Sequence, residues 1–210
     1  MDVKINNPLD KILDNEAKVK ILRFLIKTNA QWNGRQIAKE VGVTPATAHK
    51  ALQGLHKEGV LVLRNVGKTH LYNLNSANYV VSGLLKPLFA KEDKVLGDIV
   101  AMIKKSIVSS SLKDNIISVV LFGSVNLRKD HPASDIDLAV VVPDKESLRK
   151  VEGLFEDIDK KISAEFGNMV SPYINTEAEF KAKHKKRLDV IKNILKANTL
   201  IYGEEIEKIL

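Results

Sequence analysis

Cysteine is absent from all 210 residues. That excludes disulfides, thiolate metal sites and cysteine nucleophiles together, and it suits a reducing compartment. Aromatic residues make up only 5 % of the chain, and glycine and proline number 11 and 6, well below what a collagen-like or low-complexity chain carries. No apolar run approaches the ~18 residues of a membrane span, and the opening MDVKINNPLD has no apolar core of signal-peptide length. The expectation is a cytoplasmic protein with no membrane role. What is present is an ordinary globular mixture, on a chain long enough for one large domain or two small ones.

The formal charge of +7 is unevenly placed. Residues 1–90 hold 13 Lys+Arg against 6 Asp+Glu, a net of +7, and residues 91–210 hold 20 against 20, a net of zero. A basic first part beside a neutral second part points only the first toward a polyanion. A lysine-rich solvated surface would give the same count.

In the first part, Val19, Leu22, Phe24, Leu25 and Ile26 recur with helical period within Asn15–Thr28. A short second helix is expected over Gly34–Val41, with Ile37, Ala38 and Val41 as its apolar stripe and Gly42 as a left-handed stop. Thr44 then suits an N-cap and Pro45 the first helical position, opening a third helix that runs to about Glu58. Its Ala48, Ala51, Leu52 and Leu55 face inward, and Thr47, His49, Lys50 and Gln53 face out. Val60–Arg64, a turn at Asn65-Val66-Gly67-Lys68, and Thr69–Leu74 read as a hairpin. Helix, helix, tight turn, helix, hairpin is the winged helix-turn-helix order. The stretch GRQIAKEVGVTPATAHKALQGLHKEGVL resembles the winged-helix transcription regulators, over about residues 10–75. The resemblance implies binding of double-stranded DNA, with Thr44, Thr47, His49, Lys50 and Gln53 reaching base edges and Arg64, Lys68 and His70 of the wing touching phosphates. A winged helix used only for protein contacts is the competing reading. His49, His56 and His70 lack metal-ligand spacing and read as surface or groove residues.

Residues 76–90 read as a helical connector with an apolar stripe (Val80, Val81, Leu84, Leu85, Leu88, Phe89), which Pro87 is expected to kink or end. It is a candidate for pairing two copies into a homodimer, or simply core. A second amphipathic helix, about Glu92–Ser109, reads as core packing and opens a domain over 91–210.

In that domain Ile116–Phe122 is a nearly all-apolar run, as a buried strand should be, and Gly123-Ser124 follows at once. Ten residues later Asp135-Ile136-Asp137 opens a second apolar run through Val142. A helical stretch, Lys145–Phe166, leads to a third strand candidate, Met169–Asn175. Side chains alternate along a strand, so Asp135 and Asp137 share a face with Cα atoms roughly 7 Å apart. Two carboxylates on one face of an apolar strand need a counter-charge, and Mg²⁺ prefers carboxylate oxygens together with substrate phosphates. A glycine turn leaving a strand for a helix lets backbone N–H groups approach a phosphate. Together these parts suit in-line nucleotidyl transfer to a hydroxyl.

The stretch LFGSVNLRKDHPASDIDLAVVV resembles the minimal nucleotidyltransferase family of polymerase-β-like fold, whose pattern is Gly-Ser, about ten residues, then Asp-x-Asp opening a strand. The resemblance covers about residues 91–210, including the closing Leu200-Ile201-Tyr202-Gly203. It implies that Gly123 and Ser124, with Arg128, bind the triphosphate of an NTP and that Asp135 and Asp137 hold Mg²⁺ and carry catalysis. It also raises a helical, toxin-like partner protein. Two features depart from the family. Arg128 is displaced from the usual Arg-Gly position, and the third strand has Ser171 where active members carry a carboxylate, with Glu177 or Glu179 as possible substitutes from beyond it. The last segment, Glu177–Ala197, reads as one lysine-rich helix whose Lys181–Arg187 run is a basic patch or a solvated face.

The sequence therefore predicts an α/β (α+β) protein, a winged helix followed by a mixed-sheet nucleotidyltransferase domain. Its expected function is DNA-bound transfer of a nucleoside monophosphate from an NTP to a hydroxyl. The alternative is a transcription regulator whose second domain binds a nucleotide or a partner without efficient catalysis.

Overall fold

A computed structural model describes residues 5–132 and 134–210; residues 1–4 of the expected first domain, and Ala133, lie outside the described residues. The chain divides into two compact units, Met1–Lys94 and Val95–Leu210.

The first unit opens with α1, Glu16–Thr28, capped by the Asn15 side chain accepting from the Lys18 N–H, and closed at Asn29 in the left-handed region. A two-residue strand, β1 (Trp32–Asn33), comes next. Asn33 also caps α2 (Gly34–Val41) in a reciprocal box with Gln36. Gly42 ends that helix at φ 68°, a conformation that costs glycine nothing. Thr44 caps α3 (Pro45–Lys57). The hairpin of β2 (Leu61–Val66) and β3 (Thr69–Leu74) turns on Gly67-Lys68, since Val66 pairs with Thr69. The turn is two residues, tighter than the four-residue turn expected. β1 joins the free side of β3, Trp32 opposite Tyr72, and completes a three-stranded sheet in the order β1-β3-β2.

The helix expected as a connector packs into this unit's core. It runs through π-helical Val80–Leu85 into α4, Lys86–Glu92, and buries Val80, Val81, Leu85 and Phe89 with Leu22, Leu25 and Leu55. Pro87 neither ends nor visibly breaks it. The proline stands in the first turn of α4, directly after the wider π turns, where a missing N–H removes little. Arg23 of α1 clamps the far end, donating to both Glu92 oxygens at 2.6 and 2.7 Å, with its guanidinium 5.6 Å from the Phe89 ring centre.

The second unit opens with α5 (Val95–Val108). It continues through β4 (Ser118–Leu121), α6 (Gly123–Asn126), β5 (Ile136–Val142), α7 (Lys145–Phe166), β6 (Val170–Thr176), α8 (Glu177–Lys185), α9 (Asp189–Lys196) and β7 (Thr199–Gly203). The sheet is mixed, in the order β6-β5-β4-β7, with β5 and β6 parallel and the other pairs antiparallel. Alternation along the strands supplies two apolar faces. Val119, Leu121, Leu138 and Val140 meet Ile103 of α5 and Phe155 of α7. Val120, Ala139 and Val141 meet Phe180 of α8 and Ile191 and Ile194 of α9.

The single helix expected over Glu177–Ala197 is two. It breaks at Lys186–Leu188, where Arg187 takes φ 54°. A straight helix of that length would span roughly 30 Å, longer than the ~23 Å of a seven-residue strand. The break returns Ile191 and Ile194 to the same apolar face that Phe180 covers. No helix among the described residues is long and apolar enough to cross a membrane.

Candidate functional site

The carboxylate pair lies at the beginning of β5. Asp137 is the second residue of the strand and half-buried; Asp135 precedes the strand and is exposed. Main-chain pairing locks Asp137 between two neighbours. Its carbonyl accepts from the Phe122 N–H at 3.0 Å, at the end of β4, and on the other side it stands in register with Ser171 of β6.

Gly123 follows Phe122 at φ 78°. A side chain there is excluded twice, by that backbone conformation and because a Cβ would collide with the Asp137 carboxylate, its Cγ only 2.9 Å away. The Gly-Ser turn is therefore folded directly against Asp137. Phe122, at the N-cap of the one-turn helix α6, offers no side-chain acceptor, so the first-turn N–H groups have no intrahelical partner. Ser124 is half-buried, and its carbonyl accepts from the Lys129 N–H at 2.9 Å, curling the following loop back.

Burial pushes the Asp137 carboxyl above its ordinary value, and the negative charge of Asp135 adds to the push. Neither aspartate forms an ion pair with a described Lys, Arg or His. Two carboxylates, one half-buried and destabilised in its charged form, beside free backbone N–H groups, fit a hard divalent cation with phosphate oxygens.

Arg128 is not drawn to this pair. It is exposed, at φ 54°, with its N–H bound to the Val125 carbonyl. Glu177 and Glu179 are remote from it as well. Both follow Thr176, which pairs with Val142 at the opposite end of the strands, five residues or ~17 Å along β5 from Asp137. Glu177 pairs with Lys181 at 2.7 Å, and Glu179 accepts from the Thr176 N–H in a capping box. Among the described residues no three acidic or histidine side chains gather as a metal cluster. Ser171, exposed on the edge strand, is the residue facing Asp137 from β6.

In the first unit Thr44, Thr47, His49, Lys50 and Gln53 lie on the exposed side of α3. The Thr44 hydroxyl is occupied as the cap, accepting from the Thr47 N–H at 3.1 Å and lying 2.8 Å from the Thr47 hydroxyl. A cleft between α2, α3 and the hairpin brings His49, Lys68 and His70 together with Arg35 and Tyr72. Arg35 was not expected from sequence. It stands in the first turn of α2, and β1, which sets that turn against β3, gave only two residues of signal. Arg64 lies apart, since it pairs with Leu71 and so shares the hairpin face opposite that of His70. His56 is half-buried, its Nδ1 2.9 Å from the Leu61 carbonyl.

The class of protein follows from these two sets of features. Residues 104–207 match the family described as Polymerase beta, Nucleotidyltransferase, and residues 18–68 match an HTH domain. The chain is a winged helix-turn-helix domain followed by a nucleotidyltransferase domain of polymerase-beta type. Similar solved structures include a homodimeric winged helix-turn-helix DNA-binding domain from Mycobacterium bovis, a possible ArsR-family transcriptional regulator. It is 26 % identical, with 42 % of this chain and 78 % of that one covered and a TM-score of 0.35. The transcriptional repressor BigR from Xylella fastidiosa is 18 % identical, covering 39 % and 80 %, at a TM-score of 0.34. A toxin-antitoxin structure with AMP-PNP is 17 % identical, covering 50 % and 76 %, at 0.30. No curated protein matches the chain.

Proposed function

We propose that this chain binds double-stranded DNA through its first unit and binds an NTP with Mg²⁺ in its second, transferring the nucleoside monophosphate slowly to a hydroxyl acceptor as pyrophosphate leaves. The observation that carries the reading is the contact of Gly123 with Asp137. It sets a turn of backbone N–H groups beside a carboxylate pair that, among the described residues, has no protein cation. Gly123, Ser124 and the first turn of α6 would receive the triphosphate, and Asp135 and Asp137 would hold the Mg²⁺. The cation, when bound, neutralises phosphate charge and acts as a Lewis acid for in-line displacement.

The register of Ser171 with Asp137 favours slow chemistry. A hydroxyl is no general base near neutral pH and a poorer ligand than a carboxylate. That observation also supports the second reading, a transcription regulator that uses the site to sense a nucleotide. On the DNA side, His49, Lys68, His70 and Arg35 form one basic cleft beside the exposed face of α3. Pairing of two copies on DNA is part of this proposal, since helix-turn-helix proteins read paired half-sites.

The decisive measurement is equilibrium binding of each NTP with and without Mg²⁺. Native protein should bind only with the cation, and the Asp135→Asn, Asp137→Asn double variant should not bind. Equal affinity in the two proteins would refute the nucleotide site.

A further inference from the structure

In the first unit α2, α3 and the hairpin converge on one open cleft of about 500 Å³. They meet at Gly34, where a Cβ would stand 3.5 Å from the Leu52 side chain of α3 and 3.9 Å from the Tyr72 ring of β3. α2 begins at Gly34 and α3 at Pro45, and both starts line the cleft. The start of a helix carries the positive end of its dipole. Strand alternation turns His70 to the same side of the hairpin as the buried Tyr72, toward the helices.

The charges in this cleft are of one sign. α2 contributes Arg35, α3 contributes His49, and the hairpin contributes Lys68, His70 and the Tyr72 hydroxyl. Among the described residues no carboxylate lines the cleft, and neither Arg35 nor Lys68 makes an ion pair. Burial pushes the Tyr72 phenol up, so it stays a neutral donor near neutral pH. Histidine is the side chain that gains its charge between pH 5 and 8. Two imidazoles, two permanent cations and two helix starts, with no acid among them, suit an anion whose binding draws protons.

We infer that the cleft holds a backbone phosphate of the duplex and that His49 and His70 take up protons as it binds, so that this chain binds DNA more tightly as pH falls. An opposite charge within a few ångströms favours the charged imidazolium over the neutral ring. Each charged ring then donates to phosphate oxygens beside Arg35 and Lys68. The protonated form is the better binder, so the gain is present at low pH and is lost as pH rises past the histidine range. The proton uptake rests on the DNA-binding reading of the first unit and adds a regulation of that site.

The test uses the full chain and a labelled duplex, titrated without nucleotide at constant ionic strength from about pH 6 to about pH 8. Native affinity should fall roughly tenfold across that range, since one pH unit of proton coupling is a tenfold change in affinity. The His49→Gln, His70→Gln double variant keeps polar side chains but cannot titrate. It should match native protein near the upper end of the range and change by less than about twofold across it. His131→Gln, in the other unit, should leave the native dependence in place. Arg35→Ala with Lys68→Ala should weaken binding at every pH and also shrink the dependence, because the phosphate is no longer held between the rings. Arg35, His49, Lys68 and His70 are all exposed, so these variants keep the fold. Native affinity that is flat over the range, or a dependence that survives in the double histidine variant, overturns the proton uptake while leaving DNA binding standing. A dependence untouched by the loss of Arg35 and Lys68 overturns it too, because the protons would then bind outside the cleft. No duplex binding at any pH would sink the DNA reading, and the proton uptake with it.

Discussion

In the proposed transfer reaction, Ser171 is the residue on which the rate turns. It faces Asp137 across a parallel pairing that leaves no freedom of register, and the nearest downstream acids are held at the other end of the strands by Lys181 and by the Thr176 cap. Ser171→Asp should raise nucleotidyl transfer, read as label moved from a radiolabelled NTP, toward the 10²–10⁴-fold that a general base typically contributes. Pro172 restrains the neighbouring backbone, so the lower end of that range is expected. The same substitution places a third negative charge beside a carboxyl already pushed up by burial and by Asp135. Its melting temperature should therefore fall without Mg²⁺ and recover with it. A variant that is neither faster nor Mg²⁺-dependent in stability would show that β6 does not face the metal. Brisk turnover by the native protein would show that the base comes from outside this strand.

At the scale of elements, the helix from Val80 to Glu92 shows how a segment that reads as a connector becomes core. Its inner stripe meets α1, and the Arg23–Glu92 pair fixes the end. The Glu92 carboxyl is held below its ordinary value of 4.5 by the hydrogen bond from Arg23. A depressed carboxyl stabilises the fold above its unfolded value and loses that contribution as pH falls through the lower folded one. Glu92→Gln should therefore cost about 1 kcal/mol or less near neutral pH, since the pair is partly exposed. The difference from native protein should vanish in acid below the folded value. Urea unfolding across that pH range measures it, and a constant difference at every pH would show that Glu92 acts by packing alone. The stop of α2 and the start of α3 were legible because Gly42, Thr44 and Pro45 act locally. β1 was not, since two residues pair only because β3 has a free edge beside them. The split of α8 from α9 was hidden for a related reason. Lys183-His184-Lys185-Lys186-Arg187 carries neither glycine nor proline to mark a stop, and the break that returns Ile191 and Ile194 to the sheet comes from packing rather than from a local signal. In the acid site the Gly-Ser and Asp-x-Asp letters were legible. The contact that joins them arises from antiparallel pairing of β4 with β5 and could not be read from spacing alone.

The whole molecule divides its charge as it divides its cores. Each unit buries its own cluster of apolar side chains, and the basic excess belongs to residues 1–90. Duplex binding should then be governed by the first unit and nucleotide binding by the second, with separable mutations. Lys68→Ala removes an exposed cation at the tip of the hairpin. It should weaken binding to all duplex sequences alike and reduce the salt slope by about 1, the share of a single neutralised phosphate on a duplex. Lys50→Ala, on the exposed side of α3, should weaken some sequences more than others if its side chain reaches base edges. The Asp135→Asn, Asp137→Asn variant should retain native duplex affinity when no nucleotide is present. With Mg²⁺ and NTP added, the same titration compares native protein directly with that variant. A nucleotide-sensing regulator requires a difference, because a ligand shifts an equilibrium only by its differential affinity for the two states. Duplex affinity that is identical with and without NTP in the native protein would exclude sensing and leave slow transfer as the function of the acid pair.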